Sequence, residues 1–440
     1  MTSILQVQQP EAFLANDFAA DHGSSQASAE IRGNGRPEIK LILACARRSP
    51  DDDALRSVRT LLEDNLDWPY IVRTADRHCV TPLLYKSLEH LGPELVPQEF
   101  LSDIQIAFQK NALRNLSRTG EMIRMLDLLR KQGAEVLPFK GPLLAHLAYG
   151  DLGLRQFGDL DILVHEHDIQ KVKNVFLKEG YRQGLPLTWF QTRFPFLSGR
   201  KDYVLVKDQG SVVVELHWRL TGKHFPLGFD MTNLWRRLET VSIAGFDVLN
   251  LPNEDLLLYL CMHGSRHSWE RLAWVCDVAE LVKNGENINL EKVFARATAM
   301  GVERMFALGL LLAHSLLGAP ITESLLAKIQ ADASLGLLAR RVSDLMFEED
   351  RAAFDDISYQ YDHHLSVRER LRDRVRLHVY YARRYTHLLL TPNVRDREAL
   401  SLPSFLSFLY YPVRLLRLIK EYGLKRLKGY LTGFRSKAVR

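Results

Sequence analysis

The spacing of apolar residues changes twice along the chain. From Ile39 to about Gln132, and again from Asn253 to about residue 350, apolar residues recur three and four positions apart, which is typical of amphipathic helices. Between these stretches lie the short apolar runs "AEVLPF", "LDILV", "KDYVLVKD" and "SVVVELHW", which favour strands. We therefore predict an α+β fold, in which a small mixed sheet with its own helices is flanked by N-terminal and C-terminal helical regions.

Glycine, proline and asparagine mark the ends of the predicted elements. Gly133 and Gly180 follow helical runs, as C-terminal caps do, and Pro142 suits the first turn of a helix. Asn253 is a predicted N-cap for a helix that starts near Glu254. The predicted organisation is a disordered leader (1–36), an N-terminal helical region (37–132), a sheet-containing core (133–250), a helical domain (251–350) and a basic helical C-terminal region (351–440).

The composition is that of an ordinary globular protein, with 46% hydrophobic and 25% charged residues among 440. The four cysteines form no CxxC pair and no zinc-like spacing, which favours reduced thiols in a cytoplasmic protein. The first residues have neither a basic n-region nor a long apolar core, so we do not expect a signal peptide. No stretch has the length and apolarity of a transmembrane helix.

Charge is distributed unevenly. Residues 411–440 hold nine Lys and Arg against one acidic residue, a net charge of +8, so the other 410 residues carry −3 of the total +5. This tail fits an interfacial helix on an anionic membrane, which would make the protein peripheral to the membrane, an RNA-binding surface, or a helix packed on the body. We expect packing, because "FLSFLYYPVRLLRLI" has more apolar surface than a free tail keeps exposed.

Three acidic residues stand where a strand would not need them. Asp159 and Asp161 lie two apart at the start of "LDILV", so their side chains point to one face and repel unless a cation lies between them. Glu215 interrupts the apolar run "VVVELHW", a costly position unless it is paired or bound to metal. The plain alternative for the two aspartates is a solvated loop. Together the three carboxylates predict a Mg²⁺ or Mn²⁺ site.

Basic residues precede the acids in a pattern that suits phosphate binding. "FKG" ends a predicted strand and Pro142 opens a helix, so backbone N–H groups near Gly141 can receive phosphate oxygens, with Lys140 beside them. Arg155 lies in the short loop before Asp159, where its charge can meet a phosphate. We expect Lys140, Gly141 and Arg155 to border the same cleft as the three carboxylates.

The order of these features resembles the polymerase-β-like nucleotidyltransferase superfamily. The residues most similar to its uncharacterised bacterial family of type 5 are Lys140-Gly141, Tyr149, Arg155, Asp159-Leu160-Asp161, "ELHW" and the block "HGSRHSWERLAWVCDVAEL". The resemblance covers about residues 60–430 and is strongest over 136–282. The chain departs from the superfamily at Lys140-Gly141-Pro142, where Gly-Gly or Gly-Ser is usual, so a serine hydroxyl contact to phosphate is absent.

The resemblance implies metal-assisted transfer of a nucleoside monophosphate from a nucleoside triphosphate, expected to be ATP, to an acceptor hydroxyl. Asp159 and Asp161 would hold the metals, and Glu215 would complete the catalytic site and ease deprotonation of the acceptor. Association of such families with polysaccharide and natural-product gene clusters favours a small-molecule or glycan-related acceptor over a protein side chain or an RNA end. The alternative is a nucleotide-binding regulatory module that has lost turnover.

Polar residues beyond the three acids are candidates for acceptor or nucleotide contacts. His217 follows Glu215 by two positions, so it shares a strand face with that acid, or it is a half-buried histidine satisfied by backbone. On one continuous helix from Glu254, a polar stripe would bring together His263, His267, Arg271, Trp274 and Asp277. Such a stripe is also compatible with a solvated surface, or with a zinc pair at the two histidines.

Overall fold

The computed structural model describes residues 35–91, 95–184, 202–222, 229–285, 288–350, 352–390, 396, 400, 406, 409–417 and 419. The described residues up to Arg374 form one compact unit, and those from Val375 onward belong to a second. Most of the predicted leader and the tail beyond Ile419 lie outside the described residues, so the predictions made for them stay predictions.

The N-terminal region is helical, as its apolar spacing predicts. Its helices are α1 (Pro37–Cys45), α2 (Asp52–Leu62), α3 (Trp68–Arg77), α4 (Thr81–Leu91) and α5 (Gln98–Lys131). Asp51 and Asp67 cap α2 and α3 by accepting hydrogen bonds from backbone N–H groups of the first turn. Gly133, two residues after the end of α5, has φ +67°, the left-handed conformation expected after a helix.

The sheet is mixed and small, which confirms the predicted fold class. Its strands are β1 (Val136–Pro138), β2 (Leu160–Val164), β3 (Arg182–Gln183), β4 (Asp202–Lys207) and β5 (Val212–His217). Their order is β1-β2-β5-β4-β3, with β2 and β5 parallel and the other pairs antiparallel. A separate hairpin follows, β6 (Glu239–Ile243) with β7 (Phe246–Asn250).

Helices connect and cover these strands. They are α6 (Gly141–Leu144), which continues as a π-helical turn over Ala145–Tyr149, α7 (Ile169–Lys178) and α8 (Met231–Arg236). Residues after the hairpin form α9 (Asn253–Arg266), α10 (Leu272–Asn284), α11 (Leu290–Met300), α12 (Glu303–Leu317), α13 (Glu323–Gln330), α14 (Ala333–Met346), α15 (Ala352–Asp355), α16 (Ile357–Ser366) and α17 (Leu371–Leu390).

Two apolar cores hold the sheet between helices. Ile162 and Val164 of β2 pack into a core with α7 and the second half of α5. Leu163 belongs to the other core, which the N-terminal helices share with α9, α10 and α12. Because side chains alternate along a strand, Asp161 lies on the same face as Leu163 and points toward the helical side.

Two local predictions about the helices after the sheet are wrong. Asn253 is the first residue of α9 and not its N-cap, which is Pro252. The single helix expected to carry His263 through Asp277 is two helices, α9 and α10. Its interruption does not come from Gly264, which is helical, but from Ser268 and Trp269, whose φ angles of 53° and 55° are left-handed.

The second unit supplies few described residues. Arg414 and Arg417 of the basic tail donate to the buried carboxylate of Asp396, at 3.1 and 2.7 Å. Two arginines of the tail are therefore engaged by a carboxylate of their own unit. Within the described ranges, we find no helix with the length and apolar character needed to cross a membrane.

Candidate active site

The site is built on the parallel pair β2 and β5. Asp161 of β2 lies in register with Glu215 of β5, and His217 follows two residues further on the same face. One potential ligand atom from each of these side chains lies within 4.8 Å of the others. Among the described residues, this is the group of histidine, cysteine and acidic side chains that is close enough to hold an ion.

His217 connects the two carboxylates. Its Nε2 lies 3.0 Å from Asp161 Oδ1 and 3.3 Å from Glu215 Oε2. Ionised carboxylates only accept hydrogen bonds, so Nε2 carries the proton in this arrangement. Burial alone would raise the pKa of Asp161, but the Lys140 charge and the His217 hydrogen bond hold it well below its usual range. Burial also acts to raise the pKa of Glu215, but the hydrogen bond from His217 lowers it, and the pKa of Glu215 lies below its ordinary value.

Lys140 balances the charge of Asp161. Its Nζ lies 3.0 Å from Asp161 Oδ2, with the Lys140 side chain 12% exposed and that of Asp161 fully buried. Burial favours the neutral amine, yet the surrounding negative charge, above all that of Asp161, raises the pKa of Lys140 above its ordinary value. The ammonium therefore stays protonated and neutralises the carboxylate from the side of α6.

Gly141 lets α6 approach the loop that carries Asp159. Its φ is +54°, and a Cβ at this position would stand 3.2 Å from the carbonyl oxygen of Asp159. Any other residue would be strained and crowded there. The chain therefore brings Lys140 and the start of α6 against the acidic loop.

Asp159 precedes β2 and is half-buried. It is not a member of the close group of three ligand atoms. Burial raises the pKa of Asp159, and the neighbouring charge of Asp161 raises it further, while Lys140 opposes the shift. Asp159 therefore shares the electrostatic environment of the group.

Three buried polar residues of α5, which the sequence reasoning missed, hold the loop before Asp159. Asn115 donates to the carbonyl oxygens of Leu152 and Arg155, both at 2.7 Å, and Asn111 donates to that of Gly153 at 2.9 Å. Arg118 donates to the carbonyl oxygen of Phe157 at 2.6 Å. Their spacing was the available signal. Residues 111, 115 and 118 continue the buried stripe of α5, which is apolar before and after them along the helix.

Arg155 and Asp277 form a buried clamp between this loop and α10. The Arg155 Nε and Nη2 atoms donate to the two Asp277 oxygens at 2.7 and 2.9 Å, and Tyr149 Oη donates to Oδ1 at 2.9 Å. Burial would lower the pKa of Arg155, but Asp277 holds it above its ordinary value. The structure thus joins two predicted contact residues to each other.

The turn between α9 and α10 is tightly packed. The Trp269 side chain is fully buried and donates from Nε1 to Ser265 Oγ at 3.3 Å. Its ring fills the space where a Cβ on Gly264 would stand and touches the position of a Cβ on Gly309. At the start of α10, the Leu272 N–H donates to His78 Nδ1 at 3.2 Å. Left-handed backbone at this turn is therefore held by buried packing.

The turn brings three half-buried rings together. Ring centroids lie 4.7 Å apart for His263 and His267, 5.4 Å for His263 and Trp274, and 5.1 Å for His267 and Trp274. The Arg271 guanidinium lies 5.8 Å from the Trp274 ring centroid. In the described part of the chain, no third metal ligand joins the two histidines, so the zinc interpretation has no support there.

The donor set of the acidic group suits a divalent cation. Two carboxylate oxygens and one imidazole nitrogen fit Mn²⁺, and the carboxylates alone fit Mg²⁺ with water in its remaining positions. Binding through His217 Nε2 would require that atom to lose its proton, whereas binding through Asp161 and Glu215 would not. These residues therefore can hold such a cation, and Lys140 is the charge that it would meet at Asp161.

Comparisons with known proteins bear on this site. A family model described as an uncharacterised nucleotidyltransferase matches residues 64–318, which is more than half of the chain and includes the sheet, the acidic group and the turn between α9 and α10. No curated protein and no solved structure matches the chain.

Proposed function

Since this chain belongs to the uncharacterised nucleotidyltransferase family, we propose that it transfers a nucleoside monophosphate from a nucleoside triphosphate, ATP in the first instance, to an acceptor hydroxyl. The observation that carries the proposal is the in-register pair of Asp161 and Glu215 on adjacent parallel strands, joined by His217. A sheet offers few reasons to place two acids side by side, and a divalent cation is one of them.

In this proposal, Asp161 and Glu215 hold Mg²⁺ or Mn²⁺, and Asp159 joins them from the loop before β2. The bound cation would stabilise negative charge on the attacked phosphate and on the leaving pyrophosphate. Glu215 is the most exposed of the close group, with 30% of its side chain accessible, so its carboxylate is best placed to accept the proton of the acceptor hydroxyl. The acceptor oxygen then bonds to the α-phosphorus as the bond to pyrophosphate breaks.

Lys140 has two parts in the proposal. Without a cation it neutralises Asp161 at 3.0 Å. With a nucleotide bound, the same ammonium contacts phosphate oxygens next to Gly141, which takes the place of the serine contact that this chain lacks. Arg155 enters this scheme through Asp277, because its Nε and Nη2 atoms already donate to that carboxylate.

We propose a small molecule or a glycan-related molecule as the acceptor, ahead of a protein side chain or an RNA end. Asp161 and His217 are buried and Glu215 is only partly exposed, which favours an acceptor small enough to reach a largely enclosed group. The competing function is a regulatory module that binds nucleotide without turnover, and it is favoured by the ion pair that already satisfies Asp161 without metal.

The test uses full-length protein with four α-³²P-labelled nucleoside triphosphates, with Mg²⁺, Mn²⁺ or EDTA, and fractionated cell extract as the acceptor source. We expect metal-dependent pyrophosphate release and transfer of label in at least one fraction. Asp161→Asn and Glu215→Gln should abolish both, whereas Asp344→Asn, a control on an exposed carboxylate of α14, should not. Metal-dependent nucleotide binding without pyrophosphate release in any fraction would favour the regulatory module.

A further inference from the structure

The three rings at the turn between α9 and α10, with Arg271, form what we call the ring surface: His263, His267, Trp274 and Arg271. Each of the three rings is half-buried, so part of its area remains in contact with solvent. Trp269, only five residues before Trp274, is fully buried and holds the turn. Trp274 also packs against the apolar core, but unlike Trp269 it is only half-buried, so part of the residue stays accessible.

Ring contacts connect this surface to the acidic group. His217 contacts Phe139 at 5.2 Å between centroids, Phe139 contacts Tyr259 at 5.3 Å, and Tyr259 contacts His263 at 5.9 Å. His217 is the residue that bridges Asp161 and Glu215. Three successive ring contacts thus link the ring surface to the candidate metal ligands, through the buried rings of Phe139, which precedes α6, and of Tyr259 in α9.

A second connection runs on the other side of the surface. Arg271 Nη1 approaches Cys79 Sγ at 3.8 Å, and the charges of both Arg271 and Arg155 act on that thiol. Arg155 lies in the loop that leads to Asp159. The ring surface is therefore linked to the elements that carry the acidic group by two sets of packed side chains.

We propose that the ring surface binds the nucleobase of the nucleoside triphosphate, a deepening that rests on the proposed nucleotidyl transfer. Indole and imidazole faces stack on any base, and an adjacent guanidinium adds a cation–π contact. A nucleotide carries its base on the same molecule as its phosphates, and the ring surface is linked to the charged site by three successive ring contacts.

The experiment separates the two halves of the ligand. Binding of adenosine, which has a base but no phosphate, of inorganic tripolyphosphate, which has no base, and of ATP is measured by calorimetry with Mn²⁺ present. Trp274→Ala should weaken adenosine and ATP binding about tenfold or more, as expected for loss of a stacking partner, and leave tripolyphosphate binding within twofold. Trp274→Phe, which keeps a ring, should retain most of the affinity.

Trp68 provides the matched control. It is also half-buried, but it stacks on Phe100 in the N-terminal region at 6.2 Å, so Trp68→Ala should leave adenosine binding unchanged. If wild-type protein does not bind adenosine, or if Trp274→Ala binds adenosine and ATP as tightly as wild type, the proposal is overturned. Equal weakening of tripolyphosphate by Trp274→Ala would also overturn it.

These outcomes are independent of the proposed reaction. Loss of adenosine affinity in Trp274→Ala, without pyrophosphate release from any nucleotide, would support the ring surface and count against transfer. Pyrophosphate release with unchanged adenosine affinity would support transfer and place the base elsewhere.

Discussion

The acidic group and the ring surface reach their geometry by opposite routes. Asp161, Glu215 and His217 stand together because two neighbouring strands have one register and a period of two. His263, His267 and Trp274 meet because a left-handed turn folds α10 back beside α9. The sheet fixes its side chains through backbone hydrogen bonds, whereas the turn depends on the burial of Trp269. We expect changes at the sheet to act on chemistry and changes at the turn to act on binding.

The largest effect should come from Asp161→Asn. Transfer activity should fall about a thousandfold or more, because metal-assisted stabilisation of the transition state amounts to several kcal/mol. The substitution also leaves Lys140 and the bridging His217 without the anion that they share. Breaking a buried ion pair lowers the free energy of unfolding by about 3–5 kcal/mol, and by less where one partner is partly exposed. Urea unfolding measures this second effect.

A double variant separates charge from chemistry at the same position. Lys140→Met combined with Asp161→Asn should recover part of the lost stability while activity stays absent, because no unpaired charge remains. If the double variant is no more stable than Asp161→Asn alone, the ion pair does not carry the stability that its geometry implies.

The clamp between loop and helix comes next. Arg155→Met should lower the free energy of unfolding by about 3–5 kcal/mol, because it leaves Asp277 buried beside Tyr149 without its cation. Arg155→Lys should recover only part, since an ammonium cannot reproduce the two-pronged contact. Arg56→Met, in an exposed ion pair of α2, is the control and should change stability little.

The clamp variants also test the sequence-based role of Arg155 as a phosphate contact. A direct phosphate role predicts weaker ATP binding in Arg155→Met at unchanged stability. A role in the clamp predicts instead that Arg155→Met lowers the stability, and that ATP affinity changes only through the position of the loop.

Lys140→Ala should have a smaller effect. ATP binding should weaken by about 1–3 kcal/mol, the cost of one lost charged contact. The free energy of unfolding should fall as well, because buried Asp161 loses its cation, although His217 still donates to Asp161 and the fold stays intact. Mn²⁺ should bind at least as tightly as in wild type, since the ammonium no longer competes for Asp161. The exposed Lys171 of α7 supplies the control, Lys171→Ala. Unchanged ATP affinity in Lys140→Ala would place the phosphates elsewhere.

The smallest effect concerns an acid that needs no metal. Glu121 of α5 accepts from Arg124 and Tyr181 at 2.8 Å and pairs with Lys207 at 3.2 Å. The bond from Arg124 is the main cause that lowers the pKa of Glu121 to about 2. A depressed folded pKa gives stability that is complete above the unfolded value, 4.5, and that is lost as pH falls through about 2.

Glu121→Gln should therefore cost on the order of 1–2 kcal/mol at pH 7, after discount for solvent screening. The difference in urea midpoint between wild type and variant should shrink steadily from pH 5 toward pH 2.5. Glu63→Gln, at an exposed acid after α2, should show no such trend. A difference that stays constant over this range would show that the cluster does not set the titration of Glu121.

The parts of the site that were predicted from sequence are those with short-range periodicity. Glu215 and His217 lie on one face of β5, and Asp161 lies beside Glu215 on β2. The period of two along each strand already indicated which face each side chain occupies. The family and the α+β fold class are confirmed. The helical spacing of Asn111, Asn115 and Arg118 indicates that they are buried, but it cannot indicate their partners, which are carbonyl oxygens about 40 positions away.

By itself the sequence determined the identity and alternation of the strands, the helical regions on both sides, and the positions at which buried acids need a counter-charge. Tertiary structure alone decided that β2 and β5 are neighbours in register, that Arg155 faces Asp277 rather than solvent, and that α9 and α10 are separate helices whose rings meet. The reason is physical: periodicity reports which side of one element is buried, whereas pairing between elements depends on the free energy of contacts that close only when the whole chain has folded.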